Sequence, residues 1–397
     1  MTEHSKRAHA LLSASGATRW LACPPSARLE DKFPDTTSEH AARGTLAHEI
    51  AENTLRAVFG IISQAESDGR RKKLLTHELY SPDMLPAIQS YDQLITRKGR
   101  EAQAADPNAL ILIEQRVDFS AYVPEGFGTA DAIIITDGIL HIFDYKNGRG
   151  VAVTAENNPQ MRLYALGALE EFDFSYDIHT VRMTISQPNK TGETTEELSA
   201  EELRKWGEEK VKPRAALAFK GEGDFCPGDH CGFCRAKGSC RARSALYMKV
   251  VRAYNLEEDP DLLTLAEVAD LLPWAKPIAK WAKELEAFAH DRAVEGYKIP
   301  GHKLVEGSRE RTISDEKGLV KEFKAAGIKD SQLYKKSLVG LGALETLAGG
   351  KVAFEDLAKD YITVSRKGPA LVPEDDKRTE YRSAANDFVP IDDEIEI

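Results

Sequence analysis

The chain has 397 residues, 42% of them hydrophobic and 29% charged, a balance that predicts a globular protein with one large domain and a smaller one. Its net charge of −11 excludes a protein that coats nucleic acid by bulk electrostatics, so any DNA contact requires a local basic groove. No apolar run approaches the roughly 18–20 residues of a membrane span, and the N-terminal MTEHSKRAHALLSASGATRW lacks the continuous apolar stretch of a secretory signal, which predicts a cytoplasmic location.

In chain order, a helical start around Trp20 is broken by Pro24 and Pro25, fixing Cys23 at a turn, where a buried thiol is expected. A helix is predicted from Gly44 to about Val58, with His48 and Glu52 four apart on one face. Residues 59–100 read as helical and polar, with Tyr91, Leu94 and Ile95 as an apolar stripe and two basic runs, Arg70-Arg71-Lys72-Lys73 and Arg97-Lys98-x-Arg100, as surface or groove. Leu110 to Val117 is strand-like, and Glu114 within it is either a surface acid or a member of a site.

Two short apolar runs, Ala130 to Thr136 and Ile139 to Tyr145, flank Asp137-Gly138. That dipeptide predicts a tight type I′ hairpin turn, with positive φ at both positions. The register then sets Asp131 opposite Asp144 with Lys146 on the same face. Like charges directly opposed repel, so the pair calls for a cation, and hard Mg²⁺ or Mn²⁺ suits carboxylate ligands. A solvent-facing charge cluster is the alternative for these three residues alone. Asn157 to Glu171 has helical periodicity, with Gln160 and Tyr164 on one face, and Val181 to Ser186 reads as another strand.

Four of the five cysteines fall between Cys226 and Cys240, in FCPGDHCGFCRAKGSC. So dense a cluster in a reducing compartment favours metal over disulfides. Cys226, Cys231, Cys234 and Cys240 suffice for a tetrahedral zinc site, with His230 spare. Further on, Pro260, Pro273 and Pro277 punctuate a helical region carrying Trp274 and Trp281, and Tyr297 to Arg311 is basic and strand-like. Helical pieces follow at Glu316 to Ala326, Leu341 to Ala348 and Phe354 to Lys359. From Pro369 the chain is charged and aperiodic, ending in an acidic segment with Asp392, Asp393, Glu394 and Glu396. A mobile tail follows from that composition, solvated or docked on a partner or on the protein's own groove. The domains expected are 1–250, a helical accessory region 251–368, and a tail 369–397.

Gly128-x-x-Asp131, then Asp144-Tyr145-Lys146, then Gln160-x-x-x-Tyr164, preceded by Gly44-Thr45-x-x-His48, resembles the PD-(D/E)XK nucleases. The likeness is to their RecB-type exonuclease branch, which includes CRISPR-adaptation and phage-encoded nucleases. Ala130 stands where the eponymous motif has proline, at a position that is loose in this branch. The resemblance implies an α/β fold with a restriction-endonuclease-like core, a mixed central sheet flanked by helices, and here a mainly helical C-terminal region. It implies metal ligation by His48, Asp131, Asp144 and the Tyr145 backbone carbonyl, with Lys146, Gln160 and Tyr164 completing the catalytic set and Glu52 and Glu114 in support. For the cysteines it implies a [4Fe–4S] cluster held by Cys23, Cys231, Cys234 and Cys240, leaving Cys226 as the fifth thiol.

The function expected is Mg²⁺- or Mn²⁺-dependent DNA hydrolysis, by an exonuclease of phage or bacterial recombination, replication or repair. The alternatives are a catalytically silent scaffold that keeps the fold, and a redox enzyme supported by the cysteines alone. No G-x-x-x-x-G-K-[ST] loop is present, so a helicase is expected as a separate partner. A single-strand-binding or recombination partner on the acidic tail and a homo-oligomer complete the partner expectations.

Overall fold

The chain divides into two compact units, Met1–Val305 and Glu306–Ile397. The computed structural model describes residues 10–34, 39–253 and 265–303 together with a few single positions beyond, so the architecture below is that of the first unit. The acidic tail, most of the Tyr297 to Arg311 segment and the helical pieces expected after Glu316 lie outside the described residues.

Short helices α1 (Ala17–Ala22) and α2 (Ser26–Glu30) precede α3 (Glu39–Val58), α4 (Gln64–Leu75) and α5 (Leu85–Ala105). Strands β1 (Leu110–Asp118), β2 (Phe127–Thr136) and β3 (Ile139–Tyr145) follow, then α6 (Pro159–Tyr176), β4 (Thr180–Gln187) and β5 (Gly192–Ser199). Helices α7 (Ala200–Trp206), α8 (Lys212–Lys220), α9 (Arg241–Ala253) and α10 (Leu265–Val294) complete the described unit. The sheet runs in sequence order β1-β2-β3-β4-β5, with β3 and β4 parallel and every other pair antiparallel.

Helices cover both faces. On one, Leu46, Ile50 and Leu55 of α3 and Ile88, Tyr91 and Ile95 of α5 bury against Ile134 and Phe143. On the other, α6 packs on Ile133, Ile135, Leu140 and Ile142, with α1, α7 and α8 behind it. The spacing of the α5 residues is the apolar stripe of a half-buried helix, whereas α6 buries Met161, Leu163, Tyr164, Ala165, Leu166 and Ala168 in one run, as a helix enclosed all round does. Asn158 caps α6, its side chain accepting from the Gln160 and Met161 amides, and Pro159 occupies the first helical position. This mixed sheet between helical layers is the α/β restriction-endonuclease-like core that the resemblance implies.

The β2–β3 hairpin has the expected register, Ala132 opposite Phe143 and Thr136 opposite Ile139. Its turn differs from the type I′ expected. Only Gly138 has positive φ, 76°, the pattern of a type II turn. The turn is held from outside: Gly138 N–H donates to Tyr176 O at 3.0 Å, and Asp137 N–H donates to Asp106 Oδ2 at 2.9 Å. Strand β5 was not anticipated. Its GETTEELS carries polar side chains on both faces, so no hydrophobic alternation marks it; the Ser199–Glu202 capping box that ends it and opens α7 is the one local signal.

Candidate metal centre

The site forms where β2 and β3 part. Their ladder stops at Ala132–Phe143; beyond it, the start of β2 pairs only with β1, while Asp144 and Tyr145 pair with Ile185 and Ser186 of β4. Asp131 fills the gap, its Oδ2 accepting from Tyr145 N–H at 2.6 Å. A carboxylate thus takes the place of a strand carbonyl, and the amide freed by the divergence is satisfied.

Glu114 and Asp131 hold facing positions on β1 and β2, and the ladder skips this pair. Glu114 has φ of 53°, the left-handed region that non-glycine residues enter at a cost. The kink reverses which face each residue serves: Ile111 and Ile113 join the α3–α5 layer before it, and Val117 joins the opposite core after it. One ligand atom each from His48, Glu114 and Asp131 thereby lies within 4.8 Å of the other two. His48 Nδ1 is 3.2 Å from Asp131 Oδ1, and the imidazole ring tilts against Tyr145 at 5.3 Å.

The second half of the site is a clamp around Asp144, whose side chain is 2% exposed. Lys146 Nζ donates to Asp144 Oδ1 at 3.2 Å and to Gln160 Oε1 at 3.3 Å. Gln160 Nε2 in turn reaches Asp144 Oδ1 and Tyr164 Oη, both at 3.1 Å. Tyr164 lies so close to β2 that a Cβ on Gly128 would meet its Cε1 at 2.6 Å, which gives the glycine of Gly128-x-x-Asp131 a physical reason.

Crowding of charge sets the ionisation. Burial pushes the Glu114 carboxyl up and Asp131 adds to it, against the pull of His48, to about 8. For His48, burial lowers the pKa, but the charge and hydrogen bond of Asp131 outweigh it and raise the group to about 9. Burial also raises Asp144, with Lys146 opposing; at Asp131 the upward push of burial is outweighed by His48, and the carboxyl is held low. Burial disfavours the Lys146 charge, yet Asp144 and Asp131 hold its pKa above the ordinary value.

Asp144 Oδ2 is buried and accepts no well-formed hydrogen bond, although Lys146 Nζ lies 2.9 Å away. Two carboxylates and one imidazole, Glu114, Asp131 and His48, fit a divalent cation that takes oxygen and nitrogen ligands; Asp144, expected directly opposite Asp131, lies beyond the end of the β2–β3 ladder and is not part of that cluster.

Of the residues expected from sequence, the structure brings together His48, Glu114 and Asp131, and Asp144, Lys146, Gln160 and Tyr164. The two groups meet through Tyr145, whose amide holds Asp131. Glu52, expected in support of the site, pairs instead with Arg56, its Oε1 lying 3.1 Å from Arg56 Nε. Tyr91, which the sequence presents only as core, stacks on Tyr145 with centroids 4.9 Å apart. Its buried hydroxyl has no hydrogen-bond partner, and burial, with Asp131, Asp144 and Glu114, pushes its pKa up.

All five cysteines are free and line one narrow cleft with Arg19, Lys237 and Arg243. Cys226 N–H donates to Cys23 Sγ at 3.4 Å, and Gly228 N–H donates to Cys231 Sγ at 3.4 Å. Among the described residues no three thiols fall within 4.8 Å of one another, whereas four sulfurs on one zinc at about 2.3 Å sit under about 4 Å apart. Among the described residues the cysteines are therefore not drawn together as a metal site, neither as the zinc set Cys226, Cys231, Cys234 and Cys240 nor as the iron–sulfur set Cys23, Cys231, Cys234 and Cys240. Helix α10 packs against the cysteine segment: Lys237 and Arg243 pair with its Glu284, and a Cβ on Gly238 would meet Phe288 Cβ at 2.7 Å.

Residues 9–379 match the model of the family described as "Protein of unknown function (DUF2800)". The chain belongs to this family. Among solved structures it is similar to the one titled "Crystal structure of SSO0001", at 15% identity and TM-score 0.21, over 48% of this chain and 85% of that one. It is also similar to LHK-Exo in complex with dAMP, at 8% identity and TM-score 0.20, over 45% and 91% of the two chains. The alkaline exonuclease LHK-Exo from Laribacter hongkongensis gives 11% identity and TM-score 0.20, over 46% and 92%. Among the described residues of this DUF2800 protein, no helix is long and apolar enough to cross a membrane.

Proposed function

We propose that this DUF2800 protein is a metal-dependent deoxyribonuclease that hydrolyses phosphodiester bonds, an exonuclease of phage or bacterial DNA recombination, replication or repair. The observation that carries the reading is the pairing of a three-ligand cluster, His48, Glu114 and Asp131, with a lysine held against a fourth, buried carboxylate, Asp144. His48, Glu114, Asp131, Asp144 and the Tyr145 carbonyl are the proposed ligands of Mg²⁺ or Mn²⁺. Such an ion, when bound, supplies positive charge to the phosphate oxygens and makes water a better nucleophile at neutral pH.

Lys146 keeps its proton at neutral pH, because Asp144 and Asp131 outweigh the effect of burial. Its part is therefore to steady negative charge growing on the phosphate, or to pass a proton toward the leaving oxygen, rather than to take one from water. Gln160 fixes the direction of the ammonium through its Oε1 while its Nε2 holds the Asp144 carboxylate. Tyr164 fixes Gln160. Water attacks phosphorus and loses a proton to solvent, the P–O bond to the leaving nucleotide breaks, and the leaving oxygen takes up a proton, from Lys146 or from solvent, so that no net proton is lost beyond the ionisation of the new phosphate.

The cleft lined by Cys23, Cys231, Cys234 and Cys240 supports a second element of the proposal, a structural [4Fe–4S] cluster. Soft thiolates suit iron–sulfur centres, and backbone N–H groups already point at two of the five sulfurs. Iron analysis and absorbance near ~400 nm of protein purified without oxygen test it; protein without bound iron overturns it.

Purified protein incubated with end-labelled single- and double-stranded DNA tests the hydrolytic reading. Cleavage is expected with Mg²⁺ or Mn²⁺ and is expected to vanish with EDTA or in Asp144→Ala. Persistent binding without cleavage under every condition favours the silent scaffold instead.

A further inference from the structure

The site is acidic, and cations near it favour the approach of a phosphate backbone. Two arginines, Arg43 on the helix of His48 and Arg149 on the loop after Lys146, share one acid. Asp83 receives Arg43 Nη2 at 3.5 Å on Oδ1 and Arg149 Nη2 at 3.7 Å on Oδ2. Two of the three residues come from segments that carry site residues, and the third from the turn before α5. Arg43 is on α3, five residues before His48, or about 7.5 Å along the axis at 1.5 Å per residue. Arg149 is in the loop that leaves Lys146, and Asp83 is in the short turn that leads into α5, the helix of Tyr91.

The Arg149 loop is held in place rather than left to fold back. Gln187 Nε2 donates to Gly148 O and Val151 O, both at 2.9 Å, and Asn189 Nδ2 donates to Asn147 O at 3.0 Å. Lys190 Nζ donates to Gly150 O at 3.0 Å and to Arg149 O at 3.5 Å, adding a third cation to the same rim.

We infer that Arg43 and Arg149 form a phosphate-binding rim for the nucleic-acid backbone beside the scissile bond, and that Asp83 is the latch that holds both guanidiniums until phosphate displaces it. This rests on the nuclease reading and adds the residues that receive the substrate. Three observations carry it. One carboxylate serves two guanidiniums, so the trio keeps a net positive charge. Both contacts are long, and the Asp83 and Arg149 side chains are 54% and 66% exposed; exposed pairs of this kind contribute about 0–1 kcal/mol and exchange easily. A backbone phosphate offers each guanidinium paired oxygens and a full negative charge of its own in place of a shared one.

The basic run at Arg97 and Lys98 faces elsewhere. Arg97 and Lys98 pair with Glu101, and Lys98 lines the groove beside Thr136 and Ile139 at the turn end of the hairpin. That end is about five residues of strand, or about 17 Å, from Asp131.

The test is anisotropy of a short fluorescein-labelled duplex bound by the full chain with Ca²⁺ in place of Mg²⁺, across a salt series. Arg43→Gln and Arg149→Gln are each expected to weaken binding about 5–10-fold and to lower the slope of log K against log salt by about one. Asp83→Asn is expected to tighten binding about 3–10-fold, the opposite of what a merely structural acid gives. Melting curves of each variant, expected to match wild type for these exposed side chains, separate lost contacts from lost fold. Unchanged slopes in the arginine variants, or weaker binding in a folded Asp83→Asn, overturn the rim. If wild type cleaves DNA while the slopes stay fixed, the rim falls alone; if wild type neither binds nor cleaves, the nuclease reading falls and takes the rim with it.

Discussion

His48 Nδ1 and Asp131 Oδ1 stand 3.2 Å apart, an ion pair that occupies the position a divalent cation needs. The same cation also competes with a proton on Glu114, whose pKa burial and Asp131 lift to about 8. At pH 7 the metal-free site therefore carries a proton on Glu114 and one on His48, which titrates at about 9. Both must leave when the residues become ligands.

Metal binding is accordingly expected to release about two protons per ion at pH 7. Calorimetry of Mn²⁺ binding in buffers of different ionisation enthalpy counts them. The apparent binding constant should climb by up to about 100-fold per pH unit near pH 7 and flatten above about 9. Glu114→Gln should leave about one proton released and weaken binding. Release of no protons in wild type means that these groups are not the ligands.

Glu114 also stores backbone strain, with φ of 53° in the middle of a strand. A non-glycine residue in this region costs about 1–2 kcal/mol. Glu114→Gly is expected to melt at or above the wild-type temperature in EDTA while losing the stabilisation that Mn²⁺ gives wild type. A melting temperature well below wild type in EDTA contradicts the strain.

Lys146 neutralises Asp144 without ligating, so charge on the site and chemistry should separate. Lys146→Met is expected to lower cleavage about 10²–10³-fold, the usual loss on removing one stabilising donor, while Mn²⁺ affinity holds or tightens because a competing cation is gone. Rate and affinity falling together would make the lysine part of the binding site instead.

The hairpin register was legible because Asp137-Gly138 lies between two apolar runs rich in β-branched residues, and a two-residue loop fixes which residues pair across it. Helix α6 was legible for a comparable reason, Asn158-Pro159 being a start signal with a mechanism. Other features have distant causes. Nothing local marks Glu114 as left-handed, since no Gly or Asn stands there. Tyr91 reads as core because three- and four-residue spacing cannot show which neighbour a ring stacks on. The turn at Gly138 takes its form from Tyr176 and Asp106, respectively 38 residues after and 32 before it in the numbering, beyond any window over which turn residues are read.

Gly128 transmits to the lysine through two side chains. A Cβ there would sit 2.6 Å from Tyr164 Cε1, Tyr164 Oη meets Gln160, and Gln160 holds Lys146. Gly128→Ala is expected to cost about 1–3 kcal/mol of stability by overpacking and to lower cleavage more than Tyr164→Phe, which removes only the hydroxyl. Gly128→Ala combined with Tyr164→Leu should recover stability but not rate. Recovery of both would show that the ring acts only as filler. Urea melts and single-turnover cleavage on the four proteins decide between these.

The far end of the sheet provides a pH dependence independent of the metal. Burial, with Arg182 and then Lys98 nearby, lowers His141 to about 3, and the ring stacks on Phe143 at 3.9 Å with a 2.8 Å hydrogen bond to Thr184 Oγ1. A histidine whose folded pKa lies below its unfolded value binds fewer protons when folded, so its contribution is complete above about 6.5 and is lost as pH falls toward about 3. The loss amounts to at most about 1.4 kcal/mol per pH unit in that window. Asp92, which burial raises to about 7, and Glu114 act in the opposite direction: each binds an extra proton when folded and contributes less as pH rises from about 4 to its folded value. His141→Gln, which cannot titrate, should flatten the acid limb of a urea-denaturation profile between pH 6.5 and 4 relative to wild type in EDTA. An acid limb of unchanged steepness would mean that His141 is protonated in the folded protein.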